Sequence, residues 1–242
     1  MSRKIIIYGG SGGIGSATGR LLREQGCDLH LVGRNEAKIS ATAAELGAGF
    51  TIGDVNEDDL FARVTDEVGG VCDGLVYAVG TINLRSLPRL TADDFAADLR
   101  VNATGAALAI QAALPALKKS EGTASVVLFS SVAASQGFTF HASVGMAKAA
   151  VSGLTLALAA ELAPKVRVNA IAPSLTQTPL AAGILSNEKM AEAIAGMHAA
   201  QRLGTPEDMA ALAGLLISPD ADWITGQVFG VDGGRSTLRI KS

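Results

Sequence analysis

The strongest constraint on this chain lies in its first fifteen residues. Ile5-Ile6-Ile7-Tyr8 runs into a turn holding five glycines between Gly9 and Gly15, and Ser16-Ala17-Thr18-Gly19-Arg20-Leu21-Leu22 follows as a helix. Consecutive β-branched residues suit a strand covered on both faces, which is the condition of a parallel sheet. Glycines let the chain turn sharply and let a ligand come close to the backbone. The helix start adds unpaired N–H groups and the positive end of its dipole. Strand, glycine turn and helix together make a phosphate cradle. Gly10-x-Gly12-x-x-Gly15 fits a dinucleotide spacing, and Gly9-x-x-x-Gly13-x-Gly15 fits a second one.

The rest of the chain repeats the alternation. Strands are predicted at Cys27–Gly33, Phe50–Val55, Gly74–Gly80, Ser125–Phe129, Val166–Pro173 and Gln227–Asp232, with helical patterns between them. Single helices between strands imply right-handed crossovers and a parallel sheet. At 242 residues, 48% hydrophobic but only 4% aromatic, the chain suits a core of Ala, Val, Leu and Ile. With no linker or repeat, residues 1–242 read as a single domain. A net charge of −3 without a basic block gives no nucleic-acid or membrane-surface footprint. No apolar run reads as a membrane span, and the N-terminal residues lack a secretory signal, so a cytoplasmic protein is expected. Cys27 and Cys72 have no metal-ligand spacing, and no metal site is expected.

Individual residues sharpen the chemistry. The second strand ends in Gly33-Arg34, where an NAD-binding chain places an acid. A guanidinium there suits a 2′-phosphate and favours NADP(H). Asp54-Val55 ends the third strand and Gly80 follows the fourth, both at the edge where a bound nucleotide lies. Thr91 and Asp94 form a capping box for a helix carrying Phe95, Leu99, Ala103, Ala106, Ile110 and Leu114 at helical spacing. Asn102 falls on its apolar face. Ser130 and Ser131 leave the fifth strand at its carboxyl end, and Lys148 lies on an otherwise small, apolar helix. Periodicity alone leaves Lys148 open between an exposed face and a charge aimed at a ligand. Residues 174–204 hold two short helical patterns and read as a lid.

These elements, in this order, resemble the short-chain dehydrogenase/reductase family over nearly the whole chain. The resemblance is carried by Gly9-x-x-x-Gly13-Ile14-Gly15, Asp54-Val55, Asn102 in Val-Asn-x-x-Gly, Ser130-Ser131, Lys148, Arg167-Val168-Asn169-x-Ile171-x-Pro173, and Thr225-Gly226-Gln227 with Val231-Asp232-Gly233-Gly234. It implies a doubly wound, seven-stranded Rossmann sheet with helices on both faces, a nicotinamide cofactor, and a homotetramer built on the helices of Asn102 and Lys148. It places the diphosphate on Gly9, Ser11, Gly12, Gly13, Ile14 and Gly15, the 2′-phosphate on Arg34, and the adenine on Asp54 and Val55. Gly80 and Lys148 would meet ribose, and Pro173, Thr176 and Thr178 the carboxamide side. Ser131 would polarise a substrate carbonyl, and Asn102 would hold a relay water.

One departure is chemical. The family's general acid is a tyrosine four residues before the lysine; that position is Val144. A valine has no proton to give to a carbonyl oxygen. Tyr8 and Tyr77 lie in other strands. The resemblance therefore implies an NADP(H)-dependent oxidoreductase with a non-standard donor, acting on a carbonyl or a conjugated C=C of a small molecule. Enoyl reductases of the family carry a tyrosine seven residues before the lysine, the position of His141, so His141 and a water on Asn102 and Ser131 are the candidate donors. The alternative is a catalytically silent NADP(H) sensor.

Overall fold

In the computed structural model, which describes residues 2–239 of the chain, seven parallel strands form one sheet in the order β3-β2-β1-β4-β5-β6-β7. Met1 and the last three residues of the expected 1–242 span lie outside the described residues. The strands are β1 (Lys4–Tyr8), β2 (Asp28–Gly33), β3 (Gly49–Ile52), β4 (Gly74–Tyr77), β5 (Ala124–Phe129), β6 (Val166–Pro173) and β7 (Val228–Val231). Strand order reverses between β1 and β4. A crevice therefore opens at their carboxyl ends, where ligands of such sheets bind.

The isoleucine run explains the layering. Ile5 and Ile7 point to one side, among Leu22, Leu29, Leu31, Val127, Phe129 and Ile171. Ile6 and Tyr8 point to the other, among Leu60, Phe61, Leu75, Tyr77, Ile110 and Leu128. Successive strand side chains alternate between faces, and both faces are covered. Helices α1 (Gly13–Glu24) and α2 (Glu36–Leu46) follow β1 and β2, and α3 (Leu60–Val68) follows β3. Next come α4 (Ala92–Leu99), α5 (Gly105–Leu117) and the 21-residue α6 (Ala142–Leu162). Residues 174–204 hold α7 (Ala182–Leu185) and α8 (Glu188–Gly196), and α9 (Pro206–Ile217) precedes β7.

Three local outcomes differ from the sequence expectation. Strands β3 and β4 stop at Ile52 and Tyr77, so Asp54, Val55 and Gly80 stand in the turns beyond them. The helix begun by the Thr91–Asp94 capping box is not continuous. A π-type turn over Arg100–Thr104 separates α4 from α5, with Asn102 at its centre. Such widened turns occur mostly at functional sites. Third, α6 is long and apolar enough by length and composition to cross a membrane, with a mean hydropathy of 1.4. Its buried face carries Ser143, Lys148 and Thr155 and packs against β6 and α4, as the core helix of a folded domain does.

Candidate functional site

The cradle is backbone. Gly9 and Gly10 both donate to the Val32 carbonyl, at 2.9 and 3.1 Å, tying the turn to the end of β2. Gly9 sits at φ 76°, and a Cβ there would come within 2.8 Å of the Ala78 oxygen. A Cβ on Gly15 would lie 2.1 Å from the Gly9 oxygen, so only glycine lets α1 enter this close. Gly12 caps α1 without a side-chain acceptor, and no acid stands in its first turn. The first-turn N–H groups, Ile14 included, are thus left for an anion. Ser11 faces Gly33 across the mouth of the cradle, 3.2 Å from where a Cβ there would stand. Packed this closely, the turn presents the first-turn N–H groups of α1 together, and that set of donors fits a diphosphate.

Arg34 and Asp54 face one another beyond β2 and β3, with Nη1 and Oδ2 3.4 Å apart. The arginine side chain is 80% exposed, free to turn toward a ligand phosphate. Asp54 is held by the Asn56 amides, and Val55 is buried beside it. Across the crevice, Thr178 packs its methyl over Gly13 and caps the turn Pro179–Ala181. Buried Thr176 donates to the Ser174 carbonyl just past Pro173. The 174–204 segment thus starts against the glycine turn, while α7 and α8 bury no residue of their own. A segment with so little buried apolar contact opens at low cost. Its far end is pinned by His198, whose Nδ1 donates to the Ile194 carbonyl and whose Nε2 accepts from Ser174 Oγ.

The polar residues of the other half meet at Gly80. A Cβ on Gly80 would lie 3.1 Å from both Asn102 Oδ1 and Lys148 Nζ. The open alternative for Lys148 resolves to the interior: it is buried, and its ammonium donates to the Phe129 carbonyl at 2.9 Å. Burial pushes its pKa down to about 8, with the Asp98 carboxylate pulling the other way. Asn102 uses both amide hydrogens, on Thr81 Oγ1 and the Asp98 carbonyl, each at 2.8 Å, and its Oδ1 is buried without a partner. A buried acceptor left this way costs about 1–3 kcal/mol. A ligand hydroxyl or a water would relieve it. Ser131 accepts from the Ala133 N–H as cap of a short turn, leaving its own O–H to donate. Ser130 instead braces α6, bonding the Lys148 carbonyl and Ser152.

Val144 is buried one turn before Lys148 on the same helix face, so no ionisable group occupies that position. The two tyrosines do not compensate. Tyr77 donates to the Val101 carbonyl inside the core, Tyr8 is enclosed beside it, and burial drives both phenols far above their ordinary pKa. Tyr77 therefore belongs to the core.

His141 does not share a helix face with Lys148. Helix α6 begins one residue later, and His141 is its cap residue at φ −104°, ψ 14°. Its Nδ1 donates to the Thr139 carbonyl and its ring lies on Phe138, which holds it at the helix start. It lines a cleft of about 340 Å³ with Arg85, Leu87, Phe138, Phe140 and Met146.

Sequence reasoning missed Asp98, Thr81 and Ser143, which stand behind Asn102. Nothing in α4 marks Asp98 as buried, since Asp93, Asp94 and Asp98 look alike along the helix. The Arg167-Val168-Asn169 motif proves to be a brace. Arg167 donates to the Ser218 and Ile224 carbonyls, and Asn169 to Ile224 while accepting from Gln227.

A glycine cradle at the strand-order reversal, facing a lysine–asparagine pair, defines a dinucleotide-binding Rossmann protein. The family model described as "Enoyl-(Acyl carrier protein) reductase" matches residues 9–236. A tropinone reductase homolog of Arabidopsis thaliana is 32% identical over 95% of this chain and 78% of its own length. The human mitochondrial dehydrogenase/reductase SDR family member 2 is 30% identical over 96% of this chain and 86% of its own. Among solved structures, a short-chain type dehydrogenase/reductase from Mycobacterium ulcerans superposes with a TM-score of 0.92 at 30% identity, covering 99% of this chain and 92% of its own. An actinorhodin polyketide ketoreductase variant with NADPH gives 0.90 at 26% identity, covering 98% of each chain. This chain belongs to the short-chain dehydrogenase/reductase family, whose members are oxidoreductases that use nicotinamide cofactors.

Proposed function

We propose that the protein is an NADP(H)-dependent oxidoreductase acting on a carbonyl or a conjugated C=C bond of a small molecule, with its proton supplied from a group other than residue 144. The observation that carries this reading is the meeting of a buried ammonium and an unpaired buried amide oxygen at Gly80, beside the glycine cradle. When bound, the nicotinamide supplies or accepts a hydride. The chain's own residues do the rest. The cradle and α1 hold a diphosphate, and Arg34 offers a charge-assisted contact to a 2′-phosphate. Lys148 has one donor on Phe129 and the others free for sugar hydroxyls. Ser131 can donate to a substrate oxygen, and Asn102 Oδ1 can hold a water from which a proton is passed on. The relatives' printed names, a tropinone reductase homolog and a polyketide ketoreductase among them, favour carbonyl substrates, while the matched family's description favours enoyl thioesters.

A second reading is favoured by Val144 alone: a protein that binds NADP(H) and signals its redox state without turnover. One experiment decides between the two. Purified protein is titrated with NADPH and NADH by fluorescence, then assayed for NADPH oxidation against a panel of ketones and 2-enoyl thioesters. Turnover with either substrate class supports the oxidoreductase. Tight NADPH binding with no turnover on any member supports the sensor, and no binding of either nucleotide ends both.

A further inference from the structure

Asp98 is a carboxylate only 3% exposed, on the inner side of α4, with no arginine or lysine in salt-bridge contact among the described residues. Burying such a group is costly unless hydrogen bonds satisfy it. Here two hydroxyls do: Thr81 donates to Oδ1 at 2.6 Å and Ser143 to Oδ2 at 2.5 Å. Ser143 opens α6 next to Val144, and Thr81 follows Gly80. Of the neighbouring charges, the Lys148 ammonium attracts Asp98 without bonding to it, while Asp94 turns to Thr91 and Arg85, and Arg100 to Asp58.

The direction of these bonds matters. A carboxylate only accepts, so the Thr81 hydrogen is committed to Asp98, and Thr81 Oγ1 can then only accept from Asn102. The second Asn102 hydrogen goes to the Asp98 backbone carbonyl. Both anchors of the amide thus come from Asp98, one through Thr81 and one directly. With its NH₂ held on that side, the amide must present Oδ1, an acceptor, to Gly80 and Lys148.

We propose that Asp98 is a positioning residue that fixes, through Thr81, which way round the Asn102 amide sits, and so delivers an acceptor to the reacting space. The catalytic half of the proposal rests on the oxidoreductase reading; the amide half does not. With Asn at position 98, the side chain has one acceptor oxygen for two hydroxyls, and its NH₂ must face one of them. The Thr81 hydroxyl is then released to turn on Asn102. Thr81→Val cuts the chain at its middle while keeping shape and the Asp98 charge, and Thr81→Ser restores the hydroxyl.

The test has two readouts. In the protein without nucleotide, hydrogen exchange of the Asn102 side-chain NH₂ is followed by NMR. It is protected in the wild type and in Thr81→Ser, and speeds up by about tenfold or more in Thr81→Val and Asp98→Asn, the equivalent of one lost hydrogen bond. In steady-state assays on the substrate that shows turnover, kcat falls by about tenfold or more in Thr81→Val with KM nearly unchanged, and Thr81→Ser recovers it. Wild-type exchange in Thr81→Val overturns the amide assignment. Accelerated exchange with an unchanged kcat overturns the delivery to the reaction. If Asp98→Asn does not fold, the Thr81 pair decides alone. If the wild type turns nothing over, the oxidoreductase reading falls and the exchange measurement still judges Asp98.

Discussion

The two halves of the crevice are built by opposite means. On the β1–β3 side the site is nearly all backbone: Gly9 and Gly15 let the turn, the end of β4 and the start of α1 close on one another, α1 presents its N–H groups, and Arg34 adds one exposed charge. On the β4–β6 side a chain of side chains, all buried but the half-buried Thr81, runs from Ser143 and Asp98 through Thr81 to Asn102, with Lys148 beside it. A backbone site tolerates change so long as nothing fills it. A side-chain site depends on each member, and here one position, Val144, holds an apolar residue where proton transfer calls for an acid. Nucleotide binding and turnover are therefore separable in this molecule, and single substitutions can move one without the other.

The largest effect is expected on the side-chain half. Val144→Tyr places a phenol one turn before Lys148, and should create carbonyl reduction or raise it by about 10²–10⁴, the usual worth of a positioned general acid. Rate assays on a ketone panel check this, and an inert variant that still binds NADPH would show that the half lacks more than an acid. On the backbone half, Arg34→Ala should weaken NADPH binding by about tenfold to a hundredfold and leave NADH nearly untouched, as expected for one charged hydrogen-bonded contact of about 1.5–3 kcal/mol. Equal losses for both nucleotides in fluorescence titration would remove the 2′-phosphate contact.

Lys148 tests whether the side-chain half is kept at a cost to stability. Its pKa is lowered from 10.5 to about 8 in the fold. Between those values the unfolded chain binds the proton that the native one has released, so stability rises with pH across that window. Below pH 8 the buried charge is at its most costly. Lys148→Met should accordingly raise Tm at pH 7 by on the order of 5 °C, an advantage that shrinks as pH climbs toward 10.5, while nucleotide affinity drops. Calorimetry at pH 7 and pH 10 checks it; a lower Tm at pH 7 would mean that the Phe129 and Asp98 interactions outweigh desolvation. The smallest change is expected for His141→Ala. Its ring is spent on Thr139 and Phe138, so kcat should move by less than about threefold. A fall of a hundredfold or more would return His141 to the reaction.

The repeated strands and helices were legible because each depends on short-range pattern. The isoleucine run alternates across the sheet, Thr91-x-x-Asp94 caps its helix, and the spacing of Gly9, Gly13 and Gly15 marks the glycine turn. Even the vacancy of the acid position could be counted from Ser131 and Lys148. What stayed out of reach was contact between distant segments. Whether Lys148 faces water or the interior depends on β5, 19 residues away, which supplies the Phe129 carbonyl. His141 at a helix start reads the same whether its ring turns toward Lys148 or toward Phe138. The π-type turn at Asn102 leaves no mark in a pattern of alanines and leucines.

Asp98 shows the boundary most clearly. By sequence alone, local spacing determined the alternating strands and helices and the glycine turn, because strand alternation, glycine turns and capping are settled within a few residues; the Rossmann sheet and the grouping of Asn102, Ser131 and Lys148 followed from the resemblance to the family. Only the tertiary structure decided that Asp98 is interior, that Thr81 and Ser143 both donate to it, and that the Asn102 oxygen is left free beside Lys148. A hydrogen bond's direction is fixed by what each group's other neighbours demand, and those neighbours come from three separate stretches of the chain.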